Sequence, residues 1–199
     1  IKVNPPLAFP EKVVEVSNIL SNAKKPVLVV GGQIHISTKS RELVSKVVEI
    51  HNLPVLCTYE HQDIVSHNHP HYAGELGLRP PEPIRKNALE ADVVLVVGHR
   101  FNGVPNMAYK FPSSKQTFIH VIPDPNTIGK IFRTDMGIVA DSINFLEQLS
   151  SLEKKNTNKE RDEWVKLCHQ RYLYNDSTQP PRNANDGLDF ARLIDALGE

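Results

Sequence analysis

Two unbroken apolar runs, Pro26-Val-Leu-Val-Val30 and Val93-Val-Leu-Val-Val97, constrain this chain more than any other feature. A strand with one wet face alternates apolar and polar residues, whereas a run without polar interruption is buried on both faces. Five residues is strand length, far short of the about 18 that a membrane span needs. Glycine punctuates both runs, as Gly31-Gly32 and as Gly98. Around them lie segments with apolar residues at helical spacing. Val13, Val16, Ile19 and Leu20 predict a helix from Glu11 to about Asn22, and Leu43, Val44, Val47 and Val48 predict one over Lys39 to His51. A short helix over Pro83 to Glu90 and another over Ser142 to Leu152 follow the same logic. Further strands are expected at Pro54–Cys57, Thr117–Ile122 and Gly137–Ala140. Strands alternating with helices predict βαβ units around a parallel sheet. The handedness of such crossovers leaves one expectation, an α/β fold with a doubly wound, Rossmann-like parallel sheet of about six strands and helices on both faces.

The charge balance, 23 Lys+Arg against 23 Asp+Glu, gives no basic stripe and argues against a nucleic-acid partner. Two cysteines, Cys57 and Cys168, make no disulfide framework and fit a reducing, cytoplasmic setting. Three parts are expected. Residues 1–10, with Pro5, Pro6 and Pro10, form a linker, residues 11–152 an α/β domain, and residues 153–199 a connector. The polar stretch Glu153 to Glu160 sets off a helix over Arg161 to Tyr174 and a last helix over Leu188 to Leu197, with Trp164 to Glu199 packing loosely. The chain starts at Ile1 and ends on a helix with no strand after it, and so reads as a piece of a longer protein.

Ligands of open parallel sheets sit beyond the carboxyl ends of the strands, near the point where strand order reverses. That rule selects Gly31, Gly32, Thr58, Gly74, Gly98 and Arg100. Glycine turns let backbone amides approach a phosphate, and an arginine can clamp one in bidentate fashion. The same glycines also serve as plain strand-to-helix turns, and Arg100 as an internal ion-pair partner. His67, His69 and His71 alternate as metal ligands can, but no cysteine or carboxylate completes a set of known spacing. No thiol, serine or carboxylate pair has the local context of a nucleophile or an acid–base couple. No residue of the chain is therefore assigned a catalytic or metal-binding role.

Several segments together resemble the central domain of thiamine-diphosphate enzymes of the acetolactate synthase type. They are Lys25-Pro-Val-Leu-Val-Val-Gly-Gly32, Leu53-Pro-Val-Leu-Cys-Thr58, His67-Asn-His-Pro-His-Tyr-Ala-Gly-Glu-Leu-Gly77, Ala91-Asp-Val-Val-Leu-Val-Val-Gly-His-Arg-Phe101, Ile119-His-Val-Ile-Pro-Asp-Pro-Asn-Thr-Ile-Gly129 and Val139-Ala-Asp141. They run in family order from about Lys25 to Leu152. The resemblance implies a parent that uses thiamine diphosphate and Mg²⁺ to decarboxylate a 2-oxo acid and pass the carbanion to an acceptor. It implies N- and C-terminal domains that carry the activating glutamate and a Gly-Asp-Gly motif, with residues 153–199 as the connector and first helix of a truncated C-terminal domain, and a homodimer or tetramer. A fragment without those domains is expected to be inactive.

Some central domains of this type bind FAD, some another nucleotide, and many neither. Gly98, Arg100 and Asp141 match family positions in the cofactor crevice. Against FAD stand Ile122, where flavin-binding members carry an acidic ribose partner, and Asn102-Gly-Val-Pro105, where they place a second arginine. A phosphate-bearing nucleotide, if bound, is expected at Gly31, Gly32, Gly98 and Arg100. The competing reading is a free-standing nucleotide-binding or flavoprotein-type module without thiamine chemistry.

Overall fold

Both apolar runs become neighbouring central strands. In a computed structural model of the chain, residues 4–34, 39–153 and 159–177 are described, together with positions 193, 196 and 197. β1 (Pro26–Val30) and β4 (Val93–Val97) pair in parallel, Val29 opposite Val96, and every residue of both is buried. β2 (Val55–Thr58) and β3 (Tyr72–Leu76) extend the sheet on one side, and β5 (Thr117–Ile122) and β6 (Met136–Val139) on the other. The order is β3-β2-β1-β4-β5-β6 and all five pairings are parallel. This is the doubly wound α/β architecture that the sequence implied, with its strand order reversing between β1 and β4.

Alternate side chains of β1 to β5 feed two cores, whereas β6 gives Ile138 to one of them and leaves Val139 exposed. Leu28, Val30, Leu95, Val97, Ile119 and Val121 face α1 (Pro10–Asn22), α2 (Ser40–His51) and α4 (Ser142–Ser150). Val27, Val29, Leu56, Val94 and Val96 face the other way, toward α3 (Glu82–Leu89) and α5 (Lys159–Ser177). The rest of that second face is covered without a helix. Residues 98–116 wrap it irregularly, with Phe101, Met107 and Phe111 inserted into the core. Met107, Ala108 and Tyr109 all adopt left-handed backbone there, a conformation that cannot propagate as a right-handed helix.

Two expectations are corrected. Beyond the five strands expected from the sequence, the segment His67 to Gly77 holds another, β3. Its pattern is broken at Gly74, whose φ of +107° bends the strand where the pairing with β2 shifts register. The stretch from Trp164 onward does not pack loosely, as far as it is described. Trp164 is 2% exposed and Cys168 fully buried, and the Trp164 indole donates to the Pro26 carbonyl at 2.9 Å. Lys25 Nζ lies 5.3 Å above the same indole, and Arg171 pairs with Glu90 at 2.8 Å.

Arg161 does more still. Its guanidinium, 4% exposed, donates to the carbonyls of Leu20 (2.6 Å) and Ala23 at the end of α1, and of His51 (3.3 Å) and Asn52 (3.5 Å) at the end of α2. A cation is favourable at a helix C-terminus because the last carbonyls lack partners there. The helix expected over 188–197 lies largely outside the described residues, as do 154–158 of the polar stretch. No helix of the described residues is long and apolar enough to cross a membrane.

Burial of Trp164 makes α5 part of the cooperative unit. Trp164→Ala should cost about 3–5 kcal/mol and move the unfolding of the whole sheet domain, measured by urea denaturation followed by far-UV circular dichroism. A sheet that unfolds at the wild-type midpoint would show α5 to be an appendage.

Candidate functional site

Strand order reverses between β1 and β4, the place where a doubly wound sheet takes ligands in a crevice beyond the carboxyl ends of its strands. β1 runs out into Gly31, Gly32, Gln33 and Ile34, and β4 into Gly98, His99 and Arg100. α4 starts beside them, and the hydroxyl of its first residue, Ser142, donates to Gln33 Oε1 at 3.1 Å. A Cβ at Gly98 would lie 3.0 Å from that hydroxyl and 3.1 Å from Ile34 Cγ1, and Gly98 has φ +74°. Here glycine is required twice, by conformation and by space.

The structure gathers most of the residues that the sequence selected. Gly31, Gly32 and Gly98 line the crevice, and Asp141 caps α4 at its edge. Thr58 ends β2, fully buried, with Oγ1 3.5 Å from His61 Nδ1. Arg100 is exposed just past β4. The Asp124 carboxyl, held below the usual range chiefly by the Asn126 amide and the Thr127 hydroxyl, feels the Arg100 charge as a smaller cause. Gly74 belongs elsewhere. It sits within β3, two strands from β1, where a Cβ would meet Ile84 Cδ1 of α3 at 2.6 Å.

The crevice amides are largely engaged. The Gly31 N–H donates to Val97 O (3.2 Å) and the Gly98 N–H to Val121 O (3.1 Å), which extends the ladders past the strand ends. The Gln33 N–H donates to Gly98 O and the Ile34 N–H to Gly31 O. At α4 the Asp141 carboxylate accepts from the amides of Ile143 and Asn144, both at 3.0 Å. A capping aspartate uses the orphan donors that a helix N-terminus would otherwise present to an anion.

Histidines fill what the glycines leave. His99 Nδ1 accepts from the Phe101 N–H at 2.8 Å, and His120 of β5 donates from Nε2 to the His99 carbonyl at 2.8 Å. Acceptance at Nδ1 fixes a neutral His99 ring, and the bond from His120 holds its backbone carbonyl. Burial first, then the nearby His61, His120 and Arg100, push its pKa down to about 4. His99 stands directly after Gly98, at the end of a buried strand. His61 went unmarked, because it stands in no motif and reaches the crevice only through the turn after β2.

The three alternating histidines do not converge on one point, although His69 and His71 stay in contact, with rings 5.4 Å apart and the His71 N–H donating to His69 Nδ1 at 3.2 Å. His69 pairs with Glu49 at 3.3 Å, His71 Nδ1 donates to the Leu53 carbonyl at 2.9 Å, and His67 stacks on Tyr72 with ring centres 4.6 Å apart. Among the described residues no group of His, Cys, Asp or Glu could hold a metal ion. Burial pushes the Cys57 thiol up to about 12 and the Cys168 thiol up as well, so neither is a ready thiolate at neutral pH. A cleft of about 620 Å³ lies at the β3 edge among Tyr59, His67, Tyr72, Glu75, Arg79 and Tyr172.

Comparison with known families matches residues 13–149 to the family described as thiamine pyrophosphate enzyme, central domain. The chain belongs to that family. Among its relatives, a probable acetolactate synthase large subunit of Methanococcus aeolicus is 28% identical over 168 residues, covering 80% of this chain and 28% of the relative. A glyoxylate carboligase of Escherichia coli O157:H7 is 28% identical over 166 residues, covering 81% and 27%. This thiamine pyrophosphate enzyme central domain thus spans little more than a quarter of the relatives that it matches. A solved structure, described as a thiamin diphosphate-dependent enzyme from Mycobacterium smegmatis, superposes with a TM-score of 0.61 at 19% identity, covering 81% of this chain and 31% of that one. At that identity the likeness shows a shared fold.

Thiamine diphosphate needs a metal to anchor its diphosphate, and carboxylate or carbonyl oxygens to hold that metal. Among the described residues no group of three or more His, Cys, Asp or Glu is placed to hold such a metal.

The buried histidines tie stability to pH. His99 is held near pKa 4 in the fold against about 6.5 when unfolded, and His71 and His120 are shifted in the same direction. The unfolded state therefore binds more protons below pH 6.5. Their contribution is complete above that pH and is lost as pH falls toward 4. Denaturant titrations at pH 7 and pH 5 should differ, with the His99 share up to about 2 kcal/mol. His99→Gln should flatten the profile, whereas an unchanged slope would mean that the ring titrates freely.

Proposed function

We propose that this chain is the central domain of an enzyme of the acetolactate synthase type, which decarboxylates a 2-oxo acid and transfers the two-carbon or larger carbanion to an acceptor. The family match over residues 13–149 carries the reading, and the relatedness to an acetolactate synthase large subunit supports the finer part. Bound thiamine diphosphate supplies the electron sink for decarboxylation, and the protein supplies orientation and electrostatics. The groups that hold it, with Mg²⁺, belong to N- and C-terminal domains of the intact parent. The parent works as a homodimer or tetramer in the cytoplasm.

Within that enzyme the domain's role is a rigid support. Its central strands are covered on both faces, and Arg161 locks the ends of three helices together. Residues 153–199 act as the connector toward the next domain, and residues 1–10 as the linker from the preceding one.

The intact protein, supplied with thiamine diphosphate, Mg²⁺ and pyruvate, should release CO₂ and form acetolactate, and should prefer pyruvate to glyoxylate. The present chain alone should do neither. Turnover of glyoxylate in preference to pyruvate would assign the parent to the carboligase branch instead. Thiamine-independent activity would remove the thiamine reading altogether.

A further inference from the structure

Doubly wound sheets take ligands at the switch point because adjacent crossovers leave in opposite directions and open a space there. In this chain that space is occupied from within. A Cβ on Gly31 would stand 2.5 Å from His99 Cβ, and a Cβ on Gly32 would overlap His61 Nε2. These two glycines are small to admit the protein's own imidazoles. His61 is held there by its Nδ1–H, which donates to the Tyr59 carbonyl at 2.7 Å, and His99 by its bond from the Phe101 amide.

We infer that the switch-point crevice is closed by His61 and His99 and takes neither a flavin nor another adenine nucleotide. Four further observations agree. The Gly31 and Gly98 amides, which a pyrophosphate would need, are spent on Val97 and Val121. The α4 N-terminus is already capped by the Asp141 carboxylate, which would repel a phosphate. Ile122, 1% exposed at the end of β5, has no acceptor for a ribose hydroxyl. The His99 ring stays neutral near pH 7 and so adds no positive charge to the crevice. FAD, which the family resemblance allows, does not fit. The inference rests on the geometry of the crevice and stands whichever 2-oxo acid the parent uses.

Histidine ring resonances of the full chain, recorded by ¹H–¹⁵N NMR, test the closure directly. Addition of FAD, ADP or coenzyme A to about 1 mM, the weak end of measurable affinity, should leave the His61 and His99 signals unmoved. A saturating shift of either ring with any of the three would overturn the inference. In a second arm, Gly32→Ala should displace the His61 ring signals, because a methyl group takes the place of Nε2. A folded Gly32→Ala protein whose His61 signals stay put would show that the ring does not lie over Gly32, and the closure would fail. Should that variant not fold, the nucleotide titration of the wild-type chain decides alone.

Discussion

A strand buried on both faces must be covered twice, and the pairing of β1 with β4 imposes that demand on everything else. Val27 and Val29 point one way, Leu28 and Val30 the other, and none reaches water. At about 25 cal/mol per Å² of apolar surface removed from solvent, such residues dominate the drive to fold. Both sides must be sealed before either contributes in full. α1, α2 and α4 seal one side. The other is sealed by α3, by an irregular wrap from Phe101 to Phe111, and by α5.

That asymmetry accounts for what could be read from the sequence. Regular elements announced themselves. The valine runs, the helices with Val13 to Leu20 and Val44 to Val48, and the strand around Ile119 all follow simple periods. Irregular cover did not. β3 was hidden because Gly74 breaks its alternation at the point where it also admits Ile84. α5 is legible as a helix over Arg161 to Tyr174, but its tight packing was hidden for another reason. Its buried positions, Arg161, Trp164, Val165 and Cys168, lie at helical spacing, but the stripe begins with a charged residue. Leu167, Leu173 and Tyr174 scatter apolar surface over its wet side. A buried arginine whose partners are carbonyl oxygens from two other helices cannot be inferred from local sequence.

The crevice was legible in position but not in content. Strand ends and glycines located Gly31, Gly32, Gly98 and Arg100, and the family pattern added Asp141. What those glycines are for depends on who approaches them, and the approaching groups come from distant turns. His61 arrives from the β2 side and His99 from β4. A glycine that welcomes a phosphate and one that yields to an imidazole look the same in one dimension. Gly74 illustrates a third use, in which the missing side chain makes room for a helix.

The course of α5 has a geometric consequence. Trp164, near its start, is tied to Pro26 at the amino end of β1. Asn175, near its finish, shares the edge cleft with Gly77 and Leu78, just past the carboxyl end of β3. At about 1.5 Å per residue a 19-residue helix measures roughly 28 Å, enough to travel the length of the strands and beyond. The helix therefore works as a return rod. It takes a chain that left α4 on one side of the sheet and delivers it, on the opposite side, to the rim where all six strands end. The end of α5 therefore stands at that rim, its place set by Arg161 and Trp164 at the far end of the lever.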